Sequence, residues 1–474
     1  MAADLPVLDA EAFRAQAHRL VDWMADYLAR VGNYPVQPSV TPGQIRAGLP
    51  AAPPAGPESF ERIIADFQQL IVPGLTHWGH PGFFGYFPAN TSPPSILAEM
   101  LTATIGAQCM SWNTSPAATE LEQVMLEWLR QMLALPEGFS GVIQDTASTA
   151  TLVALITARD AAVARLGGRA GGSLDRLTVY TSSEANSSVP KGARLAGFQP
   201  DHIRLIDTDR HAALSVPALA AALDADKAAG LVPACVVATV GTTGSTAIDP
   251  VPAIAALCQR EGMWLHVDAA FAGSAAILPE MRWILAGAEL ADSLVFNPHK
   301  WLLVNFDCSA YFVRDRAALL RSFAASAEIL KTSVDDAVVN YRDWGIQLGR
   351  RFRALKLWFV IRSYGVAGLQ ALLREHLRLA KLFASWVDAH EGFELIGDAP
   401  LATVCFRCLG PGNLDERNRG LLARLNAGGK LFLTGTSLKG RYVLRLALGH
   451  LTTTEQDVLR AWQLIVEAAG EAGG

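Results

Sequence analysis

Seven short β-rich runs fill residues 141–315, and helical patterns separate most of them. They are GVIQ, LTVYTS, IRLIDT, ACVVATV, MWLHVDAA, SLVFNPHK and SAYFVRD. Patterns such as TLVALITARDAAVARL and VPAIAALCQREG lie between them. Apolar strands alternating with helices predict a parallel α/β sheet covered by helices on both faces. In such a sheet the ligand crevice lies beyond the carboxyl ends of the strands. The chemically versatile residues of this chain fall at those ends: Asp145–Ser148, Asn186, Thr242–Thr243, Asp268 and His299–Lys300.

Two different patterns flank this region. Residues 11–31 carry Phe13, Ala17, Leu20, Val21, Met24, Tyr27, Leu28 and Val31 at helical spacing, opposite Glu11, Arg14, Arg19, Asp22 and Asp26. A Pro-rich connector from Pro35 to Pro57 reads as an extended linker. A helix tied on in this way predicts packing against a partner subunit or its own chain. From about residue 371 a long helix, strands around Glu394–Arg407 and Tyr442–Leu448, and a helix from Thr454 read as a smaller α+β unit. The expected division is an arm and linker over 1–85, a large domain over 86–370 and a small domain over 371–474.

Composition narrows the function. The chain has 474 residues, 51% hydrophobic and 18% charged, which is globular rather than disordered. A formal net charge of -5 argues against a nucleic-acid partner. Apolar stretches fall short of the roughly 20 residues that span a bilayer, so no membrane partner is expected. The opening segment lacks a basic head and apolar middle, and the six cysteines show no disulfide framework; the expected location is cytoplasmic. Cys405 and Cys408 lie in TVCFRC, a strand-like run that points them to opposite faces, so no metal site is expected.

Three segments carry the chemistry together. FNPHK ends at Lys300, WLHVDAA contains Asp268, and DTAST opens a helix beginning near Thr149. Lysine is the side chain that holds an aldehyde cofactor as a Schiff base. A buried carboxylate beside a pyridine nitrogen keeps it protonated, which makes the ring an electron sink. Free N–H groups and hydroxyls at a helix N-terminus suit a phosphate. Lys300, Asp268 and Ala147–Ser148 supply these in turn.

With HWGHPGFFGYFP, SWNTSPAATELE, GVIQDTASTATLVAL, VATVGTTG, WLHVDAAFAGSA, FNPHKWLLVNFDCSAYFV and LGRRFRALKLWFV in place, the chain resembles, nearly end to end, the aromatic L-amino-acid decarboxylases of the pyridoxal-phosphate group II type. The resemblance implies a fold-type I, aspartate-aminotransferase-like architecture, pyridoxal 5'-phosphate as cofactor, and an intertwined homodimer with sites at the interface. It implies that Lys300 carries the cofactor, that Asp268 pairs its ring nitrogen, and that Ala147, Ser148 and His299 lie near its phosphate. Asn297, Ala270 and Thr243 are implied nearby, and Gly349 at the partner's phosphate. Trp78, Tyr86 and Phe87 match the substrate wall, with Gln108 and Met110 contributed by the other subunit.

Two positions depart from the family pattern. Asn186 in SSEANSSV stands where a ring-stacking histidine belongs, and Ile329 in AEILKTS stands where a loop tyrosine gives its proton to Cα. Neither side chain serves as an acid near neutral pH, and general acid–base help is typically worth roughly 10²–10⁴-fold. Relatives with such changes go with aldehyde synthesis. The expectation is therefore decarboxylation of an aromatic L-amino acid coupled to reaction with molecular oxygen, giving an aryl acetaldehyde, carbon dioxide, ammonia and hydrogen peroxide. Simple decarboxylation to the amine is the alternative, with the proton coming from Tyr341, a water or Lys300. An aminotransferase or a non-catalytic cofactor-binding protein is more remote. Phe83 and Phe84 are equally placed for the pocket wall or the core.

Overall fold

The computed structural model describes residues 9–167, 174–324 and 334–470. Its centre is a seven-stranded sheet: β1 (Ser140–Gln144), β2 (Leu177–Ser182), β3 (Ile203–Ile206), β4 (Val232–Thr239), β5 (Trp264–Asp268), β6 (Ser293–Phe296) and β7 (Ser309–Val313). The order across the sheet is β1-β7-β6-β5-β4-β2-β3. Strands β2 to β6 pair in parallel, and every residue of β2, β5, β6 and β7 is buried. That burial on both faces explains why these runs are almost continuously apolar instead of alternating.

The sheet is mostly parallel, as expected, and its exception is β7, which runs antiparallel to both β1 and β6. The connection from β6 to β7 is the short segment Asn297–Cys308, whose only regular element before β7 is the four-residue helix Pro298–Trp301. A parallel return usually runs through a full crossover helix, and this segment holds a single helical turn, so the chain folds back instead. The fold-back leaves Lys300 at the carboxyl edge of the sheet and brings Ser309 opposite Asn297.

Helix Ala147–Arg165 follows β1 directly. Thr146 is its N-cap, its Oγ1 accepting from the Thr149 N–H, so the helix begins two residues before the point the sequence indicates. The helix is long and apolar enough to cross a bilayer by length and composition, and half of it is buried against β4, β5 and β6. Its apolar character serves the core.

A long helix, Arg353–Asp388, leaves the large sheet and runs into the C-terminal unit, broken at Gly365, where φ 63° and ψ 166° interrupt the helical conformation. That unit has four antiparallel strands, β8 (Phe393–Ile396), β9 (Thr403–Cys408), β10 (Thr434–Leu438) and β11 (Arg441–Ala447), in the order β10-β11-β9-β8. Phe383 of the long helix meets Phe406 and Trp462 edge-on there. Cys405 and Cys408 are both buried and free, on opposite faces of β9, and no cluster of potential metal ligands exists among the described residues. At the other end, helix Ala10–Arg30 buries none of its residues and leaves Phe13, Val21 and Leu28 exposed. The Pro-rich connector is not wholly extended; it holds one short helix, Gln44–Gly48.

Four histidines are kept neutral by burial. It pushes His266 and His299 down to about 3, and His376 and His450 to about 4. His376 joins the two structured units. The Trp301 indole N–H donates to its Nδ1 at 3.0 Å, and its Nε2 lies 3.0 Å from the His450 carbonyl, to which it donates. Protonating Nδ1 breaks the bond to Trp301. In the unfolded chain these rings accept a proton near pH 6.5, so the unfolded state binds more protons as pH falls from about 6.5 towards 4. Stability is expected to fall over that window by about 1.4 kcal/mol per pH unit for each such histidine. Chemical denaturation of wild type and His376→Gln at several pH values checks this. The variant should show a shallower slope, and equal slopes would remove His376 from the account.

Candidate active site

The carboxyl ends of the central strands and the start of helix Ala147–Arg165 enclose a cavity of about 190 Å3. Each residue expected near the cofactor from its own chain is in its lining: Ala147, Ser148, Thr243, Asp268, Ala270, Asn297, His299 and Lys300. Asn186 and Phe87 line it as well. These residues come from separate loops, and it is the order β6-β5-β4 that gathers them.

Asp268 ends β5 and is 4% exposed. Its Oδ1 accepts from the Ala270 N–H at 3.0 Å. Burial raises its pKa, while the Lys300 charge opposes the shift. Burial lowers the pKa of Lys300, with Asp268 pulling the other way. The two form no direct ion pair. Each charge therefore remains available to a third group placed in the cavity.

His299 is held in one tautomer. Its Nδ1 accepts from the Cys308 N–H at 2.9 Å, so the proton of the neutral ring sits on Nε2, which can donate. Asn297 is fixed by the Ser309 hydroxyl, which donates to its Oδ1 at 2.6 Å, and by its own N–H to the Ala270 carbonyl. The Ala147 and Ser148 N–H groups belong to the first helical turn and have no acceptor within the helix. Gly241, at φ 86°, brings the backbone close to the cavity; a Cβ there would lie 2.7 Å from the Ala272 Cβ.

One wall is a stack of flat rings. Phe87 lies on Phe271 with centroids 4.0 Å apart and planes at 7°, and Phe271 lies on Trp301 at 4.6 Å and 8°. Lys300 Nζ sits 5.1 Å from the Phe87 centroid. The opposite wall is polar. Asn186 Nδ2 donates to Thr243 Oγ1 at 3.1 Å, and its Oδ1 accepts from the Ser188 N–H at 2.9 Å.

Other expected residues lie elsewhere. Tyr86 lines an adjoining cavity of about 780 Å3, with Asn186 and Thr243 shared between the two. Trp78 stacks on Tyr86 at 5.5 Å and lies tilted against Phe83 at 4.6 Å but lines neither cavity. Phe83 and Phe84 are buried core residues. Gln108, Met110 and Gly349 form a separate group. Gln108 Oε1 accepts from the Arg350 N–H at 2.8 Å, the Met110 carbonyl accepts from Arg342, and none of the three lines the Lys300 cavity of its own chain. Ile329 lies outside the described residues.

Arg445 was not singled out by sequence. It is buried on β11 with its guanidinium carbon 5.3 Å from the Phe87 centroid. Nε donates to the Gly244 carbonyl at 2.8 Å and Nη1 to Thr434 Oγ1 at 3.0 Å, while Nη2 has no hydrogen-bond partner among the described residues. A lone arginine inside the apolar run YVLRLAL was the available signal.

The donor set fits pyridoxal phosphate. It offers a desolvated amine, a buried carboxylate, a neutral histidine donor and free helix N–H groups. The Thr239 hydroxyl in the lining is buried without a hydrogen-bond partner among the described residues. Fold and site together define a fold-type I pyridoxal-phosphate enzyme. Residues 42–409 match the pyridoxal-dependent decarboxylase conserved domain. The chain is 44% identical to an aromatic-L-amino-acid decarboxylase of Mus musculus, with 98% of each chain covered. It is 43% identical to a phenylacetaldehyde synthase of Arabidopsis thaliana, over 98% of this chain and 97% of the other. A crystal structure of Oryza sativa TDC with PLP and tryptamine superposes with a TM-score of 0.97 at 41% identity, covering 99% of both chains. The chain belongs to the pyridoxal-dependent decarboxylase family, within its aromatic amino-acid branch, whose members include amine-forming enzymes and aldehyde synthases.

Lys300→Ala is expected to fold, because burial already raises the pKa of Asp268 and without the opposing lysine charge its carboxyl takes up a proton instead of standing as an unpaired buried charge. Wild type treated with pyridoxal phosphate and borohydride should gain one cofactor mass after denaturation, and Lys300→Ala none. Mass spectrometry reads the difference. Equal labelling of the variant would place the reactive amine on another residue.

Proposed function

We propose that this chain decarboxylates an aromatic L-amino acid and carries the reaction on to the aryl acetaldehyde. The observation that carries this reading is the engagement of Asn186 at both ends of its amide. In this reading Lys300 carries the cofactor through its amine, and Asp268 faces the ring nitrogen. The Ala147 and Ser148 N–H groups and His299 Nε2 face the phosphate. Bound there, pyridoxal phosphate supplies an electron sink for the pair left when the Cα–carboxylate bond breaks.

The chain's own residues then govern the outcome. Phe87 and its stacked neighbours offer an apolar, flat surface and exclude water. Arg445 has a spare donor for the substrate carboxylate. Arg350 and Arg351 do not compete for it. Arg350 is tied to buried Glu122 at 2.6 Å and Arg351 to Glu99. This occupancy counts against a transaminase reading, which needs a free arginine for a second carboxylate.

Returning a proton to Cα gives an amine, so the product turns on a donor. Asn186 has no proton to exchange near neutral pH, and both ends of its amide are committed. Tyr341 is buried beneath Arg350 and beside Trp344, outside the cavity lining, and burial pushes its phenol well above 10. Ile329 is aliphatic. Without a donor, molecular oxygen is reduced to hydrogen peroxide as the Cα–N unit is oxidised, and water completes the release. The net balance is amino acid, oxygen and water to aldehyde, carbon dioxide, ammonia and hydrogen peroxide. One observation favours the amine instead: the lowered pKa of Lys300 makes its ammonium a better proton donor.

We further propose that the chain works as a homodimer. Helix Ala10–Arg30 leaves Phe13, Val21 and Leu28 of its apolar stripe exposed, and Gln108, Met110 and Gly349 sit outside their own chain's cavity.

Aerobic turnover of an aromatic amino-acid panel should give peroxide and ammonia in equal amounts with the aldehyde. Amine accumulation without oxygen uptake would overturn this. Asn186→His combined with Ile329→Tyr should shift the product towards amine, on the order of the 10²–10⁴-fold that a general acid provides. Arg445→Gln should raise KM by at least about tenfold and leave kcat less affected, given the strength of charged hydrogen bonds. An unchanged KM would remove Arg445 from substrate binding.

A further inference from the structure

A second cavity, of about 260 Å3, lies between the large sheet's loops and the C-terminal unit and shares no lining residue with the Lys300 cavity. Its floor is apolar, with Ala247, Ile248, Ile396 and Leu438. Its volume lies below the roughly 300–1,000 Å3 of pockets for larger ligands, which suits one ring system.

Three features mark it as more than a packing gap. The first is backbone strain. Among the described residues seven non-glycine residues have positive φ; Lys439 (48°) owes its own to the two-residue hairpin turn it forms with Gly440, and three others surround this pocket: Ala212 (61°), Thr246 (59°) and Ala399 (42°). Ala212 lines it, and Thr246 and Ala399 lie between lining neighbours. Strained conformations persist where the surrounding structure holds them and cluster at ligand sites.

The second is an unused aromatic ring. Trp283 lines the pocket and is 55% exposed. Among the described residues its ring stacks on no other aromatic, and its indole N–H has no hydrogen-bond partner.

The third is an excess of positive charge. Arg210, Lys439 and Arg441 stand on the rim, with Asp398 as the acidic residue in the lining. Asp398 is already committed to His211 Nδ1 at 2.7 Å, and Arg210 Nε donates to the other ring nitrogen of that histidine at 2.8 Å. Lys439 Nζ donates to the Asp209 carbonyl. Arg441 has no ion-pair or hydrogen-bond partner for its side chain among the described residues.

The pocket floor also touches the wall of the active site. Leu438 sits against Gly244, where an added Cβ would come within 3.0 Å of its Cδ2. The Gly244 carbonyl accepts from Arg445 Nε, and Gly244 follows Thr243, the partner of Asn186.

We propose that this pocket is an accessory binding site for a small aromatic carboxylate, stacked on Trp283 and paired with Arg441, whose occupancy is transmitted through Leu438 and Gly244 to Thr243. The flat apolar floor and Trp283 select the ring, and the free guanidinium selects the anion. Binding there does not depend on which product the enzyme makes.

The test uses the holoenzyme with indole-3-acetate as probe, indole-3-acetamide as its neutral counterpart, and substrate at saturation so that competition at the Lys300 cavity is suppressed. Indole-3-acetate should bind by calorimetry and alter kcat saturably, and the amide should bind at least about tenfold more weakly. Arg441→Ala and Trp283→Ala, both at exposed positions, should keep the kcat measured without probe. They should lose the kcat response and bind at least about tenfold more weakly. Equal binding by the two variants, equal binding of the amide, or no binding by wild type would overturn the site. Binding that leaves kcat unchanged would overturn the transmission to Thr243.

Discussion

A lysine amine and a carboxylate share one water-poor cavity without touching, and the rest of the molecule serves to hold them so. Desolvation lowers the pKa of Lys300 and raises that of Asp268. Burying either charge alone carries a penalty of several kcal/mol. The arrangement persists because each charge lies at the end of a fully buried strand or the turn after it, where rigid backbone leaves no room to relax. β5 ends at Asp268, β6 leads into Lys300, and the two strands are neighbours. A cofactor with an aldehyde at one end and a ring nitrogen at the other satisfies both groups.

The same cavity is tied mechanically to the C-terminal unit. The rings of Phe87, Phe271 and Trp301 form one stack, and the Trp301 indole bonds His376 on the long helix. Arg445 of β11 reaches back over Phe87 and bonds Gly244. Side chains from both units therefore meet at the ring stack beside the Lys300 cavity. Neutral histidines recur here because a charged ring would lose either its backbone partner or its place in the core. His299 keeps its donor on Nε2 for the same reason.

Much of this was legible beforehand, for identifiable reasons. Buried strands read clearly because their apolar runs are short and punctuated, and all seven of the large sheet lie where the runs place them. The grouping of Lys300, Asp268, Asn186 and Ala147–Ser148 around one cavity was legible because strand ends in an α/β sheet point to one crevice. The reversed β7 was not, since its apolar pattern is the same in either direction. Arg445 was hidden because its place over Phe87 depends on a strand contributed by another unit, far along the chain.

The sequence by itself determined the element types, the strand ends and the reactive groups, because side-chain periodicity and local capping are encoded over a few neighbouring residues. Only the tertiary structure decided which groups meet. It separated Lys300 from direct pairing with Asp268, committed both ends of Asn186, brought Arg445 over Phe87 and set Gln108, Met110 and Gly349 apart from their own cavity. Those outcomes depend on strand order and on packing between distant segments, and no local pattern in a chain specifies them.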